Sequence, residues 1–251
     1  MRSMILGVMS CCIRDSVWNP NAITVTGLQG ELDRPYAVLV SNNSSSMYIA
    51  DTYHDRIFEY DLNLETYVRT YDHISTGQTV NVPIAMALAD DGSELLAANY
   101  AHKTVFRWSL LTNTSSLAVA SYYSATVGLA LDKNKTVYVA QQLGYGVHTY
   151  YPNAHPYWGF GDWDLENIYG AKQLVIVNDF LYIAQSKLCR IVKVSLTDEN
   201  KTVITVAGTG RVGSSSDRLR FPWGVAVDPL EGHIFVSDSR NHRIQLCKPA
   251  Y

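Results

Sequence analysis

A pattern of three apolar runs recurs about every 47 residues, and this period constrains the fold more than any other feature. The clearest copy is FPWGVAVDPLEGHIFVSDSRNHRIQLC at residues 221–247, in which polar turns separate the runs. Weaker copies begin at Arg34, Val82, Thr126 and Ala171. The second run of each copy ends at one residue, in order Asp51, Asn99, Gln141, Gln185 and Asp238.

The composition of the runs predicts β-strands. Segments such as VYVAQ, LVIVND and IFVSD are rich in Val, Ile, Tyr and Phe. The copy IAMALADDGSELLAANYA has the composition of a helix, and only its register with the other copies predicts strands there. A fourth strand follows most copies, as in ETYVRTYD and TVITVAGTG. A period of 40–50 residues with several strands is typical of a propeller blade. We therefore predict an all-β fold, a β-propeller of about five four-stranded blades, with six blades as the alternative.

The N-terminal region contains a strand-like segment with no copy around it. NAITVTG at 21–27 closely resembles TVITVAG at 202–208, whereas the last copy has no fourth strand of its own. We therefore expect the N-terminal strand to complete the last blade and to close the ring without open sheet edges. The propeller would then occupy residues 18–251. Residues 1–17, with MRSMILGVMSCC, would form a tail or a weak signal-like segment.

Charge and sequons limit the class of partner and the location. Lys and Arg total 20 and Asp and Glu total 23, so the net charge is -3 and nucleic acid is not the expected partner. No apolar stretch is long enough for a transmembrane helix. Five Asn-x-Ser/Thr sequons favour an extracellular or secreted glycoprotein, with a cytoplasmic protein as the alternative. They begin at Asn42, Asn43, Asn113, Asn134 and Asn200.

The four cysteines show no C-x-x-C pair, so a zinc site is not expected. If NAITVTG pairs with RIQLC, Cys247 could approach Cys11 or Cys12 through the residues that lead into that strand. Such a disulfide is expected only in an oxidising compartment. The sequence leaves open whether this disulfide forms.

The last copy, FPWGVAVDPLEGHIFVSDSRNHRI, resembles the NHL repeat, in which Pro-x-Gly-Val-Ala-Val-Asp leads to Asp-x-x-Asn-His-Arg-Ile. The first copy, RPYAV…YIADTYHDRI, matches it at Asp51, Arg56 and Ile57. The middle copies keep the apolar skeleton and lose most of the signature, although Arg190 is kept. The resemblance covers the chain from about Trp18 and implies a β-propeller, usually of six blades.

The signature residues are expected to be structural. An Asp that ends a strand can accept bonds from N–H groups of the following turn, and an Arg five residues later can pair with it across that turn. Their repetition at equivalent positions of different blades supports this role, because a catalytic site needs unlike residues at one point. The residues concerned are Asp51, Arg56, Asp238, Asn241, His242 and Arg243.

Propellers related to this family include an amidating lyase, lactonases and phosphotriesterases, which place acidic, Asn or His ligands around the central channel. The residues that precede the predicted inner strands include no carboxylate. We therefore predict no catalytic residues, no metal site and no cofactor. A metal-dependent hydrolase or lyase is the alternative, and His54 and His102 are its possible ligands, since they share the repeat position of Asn241.

Exposed aromatic side chains are the candidates for recognition. Tyr36 and Trp223 share one repeat position and could line a mouth of the channel, or could plug the channel as core. A second candidate surface is YYPNAHPYWGFGDWD at 150–164, with Tyr157, Trp158 and Trp163. The first functional hypothesis is a non-catalytic scaffold that binds a protein or peptide partner through loops at the mouth. Single-stranded RNA binding, which some NHL propellers perform, is the third, and the charge balance disfavours it.

Overall fold

The computed structural model describes residues 32–41, 45–120, 124–143, 146–152, 165, 168–228, 230 and 232–248. Within these ranges the strands form five separate antiparallel sheets, three with four strands and two with three. The sheets follow one another around a ring, so the predicted five-bladed all-β propeller is confirmed. The described ranges contain no sixth sheet, which the six-blade alternative would require.

The first two blades each have four strands in chain order from the channel outwards. The first blade consists of β1 (Ala37–Val40), β2 (Ser46–Asp51), β3 (Arg56–Asp61) and β4 (Thr66–Tyr71). The second blade consists of β5 (Pro83–Leu88), β6 (Glu94–Asn99), β7 (Thr104–Ser109) and β8 (Thr114–Ala120). The segment IAMALADDGSELLAANYA contributes to β5 and β6 despite its helix-like composition, as the repeat register predicts.

The remaining blades follow the same order. The third blade is described as β9 (Thr126–Leu131), β10 (Val137–Gln141) and β11 (Val147–Tyr150). The fourth blade consists of β12 (Ala171–Val177), β13 (Phe180–Gln185), β14 (Arg190–Ser195) and β15 (Val203–Ala207). The fifth blade is described as β16 (Pro222–Val227), β17 (Ile234–Asp238) and β18 (Arg243–Cys247).

Apolar side chains between neighbouring blades form the core. Ile57 of the first blade packs with Phe106 of the second, and Ile191 of the fourth packs with Val236 of the fifth. All four side chains are almost completely buried. The removal of these large side chains from water is the main force that holds successive blades face to face.

The innermost strands β5, β9, β12 and β16 lie next to one another in chain order. β9 and β12 approach closely at Gly128, where an added β-carbon would lie 1.7 Å from the carbonyl oxygen of Lys172 in β12. Only a residue without a side chain fits there. The close approach of the inner strands of the third and fourth blades therefore depends on a glycine at this position.

The ring has two faces, because the strands of each blade alternate in direction. The turns that join first to second and third to fourth strands lie on one face, which we call the hairpin face. The turns that join second to third strands lie on the other, together with the connections between blades. We call this second face the mouth face, since the inner strands begin there.

Bonds between neighbouring blades show that all blades share this orientation. On the mouth face, Thr52 Oγ1 donates to the carbonyl of Pro83 at 2.7 Å, and Ser186 Oγ donates to the carbonyl of Pro222. Tyr100 also donates a bond to a turn of the third blade, at Gln142.

Corresponding bonds lie on the hairpin face. Lys135 Nζ lies 3.0 Å from Ser93 Oγ, which joins the second and third blades. Lys133 Nζ lies 2.9 Å from a carboxylate oxygen of Asp179, which joins the third and fourth blades. Together with the mouth-face bonds, these contacts link the five blades in a single orientation.

Several predictions fall outside the described residues. They concern the closing strand NAITVTG, the segment 1–17, Cys11 and Cys12, and the aromatic residues Tyr157, Trp158 and Trp163. Cys189 and Cys247 are free thiols, and burial raises the pKa of the Cys247 thiol. In the described part of the chain, none of the helices has the length and hydropathy of a membrane span.

Candidate functional site

The Asp that ends the second strand of the first blade is fully buried and organises the turn that follows it. Asp51 Oδ2 accepts a bond from Arg56 Nε at 2.7 Å and lies 2.9 Å from His54 Nδ1. Its other oxygen, Oδ1, accepts the backbone N–H of Asp33 at 2.7 Å. The backbone donor thus comes from the connection that enters the blade, and Asp51 caps no backbone N–H of the 3-10 turn that follows it, where such a donor was expected.

The fifth blade repeats this arrangement. Asp238 is fully buried, and its Oδ2 accepts bonds from Asn241 Nδ2 at 2.7 Å and Arg243 Nε at 2.8 Å. Its Oδ1 accepts the backbone N–H of Arg220 at 2.5 Å. His242 ends the 3-10 turn with a left-handed backbone. The Arg243 guanidinium also donates to the backbone carbonyls of Ser214, Ser215 and Arg218.

The two candidate metal-ligating histidines occupy the place of Asn241 in their own blades. His54 faces Asp51, and His102 Nδ1 lies 3.3 Å from the Asn99 amide, which ends the second strand of its blade. The structure therefore does not bring the two imidazoles together at one point. Among the residues that the structure describes, no three His, Cys, Asp or Glu side chains are arranged to hold a metal ion.

A polar cleft of about 520 Å³ opens between the turn after β2 and the connection from β4 to β5. His54 and His73 line it together with Asp55 and Asp72. His73 Nδ1 lies 2.5 Å from Asp72 Oδ1, and Asp55 Oδ1 accepts the N–H of Val82 at 2.8 Å. The cleft lies on the mouth face, with its two imidazoles among the lining side chains.

The two predicted aromatic contact residues both lie at the mouth face and are both exposed. Tyr36 immediately precedes β1 and is 54% exposed, whereas Trp223 is the second residue of β16 and is 39% exposed. Neither ring is part of a buried core, so the alternative that they plug the channel is not favoured. Near Tyr36, the Arg34 guanidinium lies 4.4 Å from the centre of the Tyr53 ring.

Around Trp223 the structure assembles aromatic rings and cations from two blades. The ring centres of Trp223 and Phe221 lie 6.3 Å apart. Lys172 Nζ lies 4.8 Å from the centre of the Trp223 ring, and the Arg240 guanidinium lies 4.6 Å from that of Phe221. The faces of aromatic rings attract cations, so these contacts hold both charges at the surface.

Two further cations extend this cluster, which we call the basic aromatic patch. Lys187 lies in the 3-10 turn after β13, and Arg220 accepts a backbone bond from Arg240. Burial and the positive charge of Lys187 lower the pKa of the Lys172 ammonium below its ordinary value of 10.5. None of the ion pairs among the described residues involves a member of this patch. It consists of Lys172, Lys187, Arg220, Phe221, Trp223 and Arg240.

Sequence reasoning singled out Trp223 and missed the cations around it. Their signal is present in the repeat, because Lys187 and Arg240 both lie two residues after the residue that ends the second strand of their blade. The corresponding residues of the other blades are Tyr53, Ala101 and Leu143, so the basic character is confined to the fourth and fifth blades. An overall net charge conceals a local concentration of this kind.

Comparisons with known proteins agree with this fold. Residues 219–245 match the NHL repeat family. A sequence comparison with curated proteins gives no match. Among solved structures, the chain is similar to a streptogramin B lyase, with 13% identity and a TM-score of 0.62 over 86% of this chain and 65% of that chain.

Two further solved structures show how widely this architecture is shared. For a virginiamycin B lyase from Staphylococcus aureus the identity is 12% and the TM-score 0.61, over 86% of this chain and 66% of that chain. For the WD40 repeats of RRP9 the identity is 11% and the TM-score 0.57, over 85% and 63%. The chain thus spans just under two thirds of the length of these solved chains. At such identities the similarity concerns the fold alone.

Proposed function

We propose that this NHL-repeat β-propeller is a non-catalytic scaffold that binds an acidic segment of a protein or peptide partner through its basic aromatic patch. The observation that carries the proposal is the half-buried ammonium of Lys172, held over the exposed Trp223 ring and beside a second lysine. A carboxylate of the partner would relieve the repulsion between Lys172 and Lys187. An apolar side chain next to it would cover Trp223, which is the kind of residue that dominates binding energy.

The mouth face offers more than one contact to such a segment. Tyr36 and Tyr53 expose aromatic surface on the first blade, and the polar cleft lies between the first and second blades. An extended segment that crosses the mouth could therefore combine a charged anchor at the fourth and fifth blades with aromatic contacts at the first.

The positions of the histidines support a scaffold over the metal-dependent hydrolase or lyase. His54 and His102 each contact the residue that ends the second strand of their own blade, which is a structural position of the repeat. An enzyme of that class needs ligands that converge on one ion. The similarity to lyase structures concerns the fold and carries no activity to this chain.

We further propose that the protein works outside the cell and is glycosylated, because three of its sequons lie in exposed turns at Asn113, Asn134 and Asn200. Protein contacts outside the cell commonly use the exposed loops of a rigid scaffold.

The test is binding of defined probes to the full chain. The first probe is a fluorescent 12-residue peptide of alternating Glu and Leu, the second replaces Glu with Gln, and the third is a 12-nucleotide oligouridylate. Fluorescence anisotropy should show binding of the Glu-Leu peptide with an affinity at least about tenfold above that of the neutral peptide. Trp223→Ala should weaken it about 30-fold, and Tyr36→Ala tests whether the contact reaches the first blade.

A charge reversal outside the patch provides the matched control. Arg240→Glu should abolish binding of the acidic peptide, whereas Lys201→Glu, on the hairpin face, changes the net charge equally and should leave it intact. Oligouridylate binding with a steep salt dependence, without peptide binding, would favour the RNA hypothesis instead. Binding of neither probe would overturn the proposal.

A further inference from the structure

We infer that the hairpin face carries N-linked glycans at Asn113, Asn134 and Asn200, and that the mouth face is kept free of them. The claim about glycans rests on the positions of the acceptor turns. The claim that the bare face is the one that meets the partner rests on the proposed function.

All three described acceptor asparagines lie on one face of the ring. Asn113 lies in the turn between β7 and β8, Asn134 between β9 and β10, and Asn200 between β14 and β15. Each side chain is exposed. These turns join third to fourth or first to second strands, so they belong to the hairpin face in three successive blades.

The mouth face contains asparagines as well, but none of the described ones is an acceptor. Asn81, Asn99 and Asn241 lie on that face, and none of these three has Ser or Thr two residues later. The basic aromatic patch and the polar cleft both lie there. The sequence thus keeps acceptor tripeptides away from the surface that carries the candidate contacts.

Two of the acceptor turns have the same local structure, built on the sequence Asp-x-Asn-Lys-Thr. In the first, Asp132 Oδ1 accepts the N–H groups of Asn134 and Thr136 at 2.9 Å each. These bonds fix the backbone of the turn and leave the Asn134 side chain exposed.

The second turn repeats this arrangement. Asp198 accepts the N–H of Asn200 at 3.0 Å and that of Thr202 at 3.4 Å. The lysine between Asn and Thr is left-handed in both turns, with φ of 64° at Lys135 and 48° at Lys201. The same acceptor geometry is therefore presented twice on the hairpin face.

The third acceptor, Asn113, lies in a different kind of turn but also leaves its side-chain nitrogen Nδ2 available. Arg69 Nη1 donates to Asn113 Oδ1 at 3.3 Å, so this bond uses the amide oxygen and not the nitrogen that receives a sugar. The Asn113 backbone is left-handed, with φ of 52°, and the residue is exposed in the β7–β8 turn.

The modification is a group transfer from an oligosaccharide linked to a lipid through a pyrophosphate. The Asn Nδ2 atom gives one proton to a base of the transferring enzyme and forms a bond to the anomeric carbon of the sugar. The bond between that carbon and the phosphate oxygen breaks, and the lipid pyrophosphate leaves with the electron pair. The product is a bulky, hydrophilic group on a surface turn.

Turn chemistry alone could also place Asn and Thr in these hairpins, and site mapping separates the two explanations. The full chain would be secreted from cultured human cells behind a cleavable secretion signal and treated with a peptide N-glycosidase in ¹⁸O-labelled water. Mass spectrometry then reports each glycosylated Asn as a labelled Asp. Occupancy of at least two of Asn113, Asn134 and Asn200 supports the inference, and occupancy of fewer than two overturns it.

The mouth face provides a matched control. His102→Asn creates the same Asn-Lys-Thr tripeptide in the turn between β6 and β7, where Lys103 is also left-handed with φ of 57°. Glycosylation of this variant site would show that the mouth face is bare for lack of an acceptor and not for lack of access. Absence of a glycan there would overturn this part of the inference.

The acidic peptide distinguishes this inference from the proposed function. Its affinity should change less than threefold when the glycans are removed from the wild-type chain, because they lie on the opposite face. A larger change would overturn the separation of the two faces. If neither the glycosylated nor the deglycosylated chain binds the peptide, the proposed function is contradicted. The mapped glycans would still support the inference about the hairpin face.

Discussion

Arg56 Nε donates a 2.7 Å bond to the fully buried carboxylate of Asp51, across the turn that joins the middle strands of the first blade. The fifth blade contains the same relationship between Arg243 and Asp238 at 2.8 Å. Each carboxylate also accepts a backbone N–H from the connection that enters the blade. One buried side chain thus ties together the entry, the second strand and the third strand of its blade.

Removal of this carboxylate should destabilise the first blade. Asp51→Ala leaves the Arg56 guanidinium and the N–H of Asp33 without their acceptor, and should lower the free energy of unfolding by about 3 kcal/mol. Asp51→Asn keeps an acceptor oxygen and should cost about half as much. Urea denaturation measures both. An effect of Asp51→Ala below about 0.5 kcal/mol, the size of an ordinary surface substitution, would contradict this role.

The close approach at Gly128 makes a second prediction. Gly128→Ala places a methyl group 1.7 Å from the Lys172 carbonyl, so β9 and β12 must separate. We expect a loss of at least about 3 kcal/mol or failure to fold. Gly92→Ala is the matched control, since its φ of 70° is unfavourable for alanine but no atom lies within 4 Å of the new methyl group. It should cost about 1 kcal/mol, and equal effects in thermal unfolding would refute the steric argument.

The lowered pKa of Lys172 makes binding of an acidic partner sensitive to pH. Lys172 should lose its charge at a pH below the ordinary lysine value of 10.5, because burial and Lys187 both disfavour its ammonium. Affinity for the Glu-Leu peptide should therefore fall as the pH rises through this lowered pKa. Anisotropy titrations between pH 7 and about 10 would measure the midpoint.

Two variants test the assignment of this titration to Lys172. Lys172→Arg keeps its charge throughout this range, so its binding should persist to higher pH. Lys187→Gln removes the like charge, raises the pKa of Lys172 and should move the midpoint upward. A midpoint that stays in place in both variants would assign the titration to another group.

The protein should lose stability at alkaline pH because two tyrosines beside the buried carboxylate of Glu59 have raised pKa values. Tyr71 donates to Glu59 Oε2 at 2.7 Å, and Arg69 Nε donates to the same oxygen at 2.8 Å. Burial raises the pKa of Tyr48 to about 12, and burial together with the bond to Glu59 raises the pKa of Tyr71. In the unfolded chain these tyrosines ionise near pH 10.

The sign of the effect follows from which state releases its protons first. Between about pH 10 and 12 the unfolded chain loses protons that the folded chain keeps, so the free energy of unfolding should fall as the pH rises. The stability is fully present below pH 10. Tyr71→Phe should cost about 1 kcal/mol at pH 7 and should flatten this decline. Tyr67→Phe, at an exposed ring, is the control whose decline should match that of the wild type.

The fold could be predicted from the sequence because the copies of the repeat can be aligned with one another. The recurring end of the second strand, from Asp51 to Asp238, fixed the number of blades even where the local composition favoured a helix. The close contact at Gly128 could not be predicted in the same way, because it depends on how far apart two blades settle. Glycine has many uses in a strand, and the sequence does not distinguish among them.

The candidate site could be predicted only in part. Trp223 was found because a large aromatic residue recurs at the position of Tyr36. Lys172 and Lys187 belong to the fourth blade and Arg240 to the fifth, so the cluster depends on how two neighbouring blades pack and not on any one repeat. The net charge also averages over both faces and hides the local excess of cations.

The hydroxyl bonds from Thr52 to Pro83 and from Ser186 to Pro222 have a consequence for how the molecule comes apart. In both cases a hydroxyl of one blade donates a hydrogen bond to the carbonyl of the first residue of the next blade's innermost strand. That residue is a proline, which has no backbone N–H of its own to donate. A blade that unfolded alone would have to break this hydrogen bond to its neighbour. The ring should therefore resist piecemeal cleavage by proteases and lose its structure in large cooperative units rather than one blade at a time.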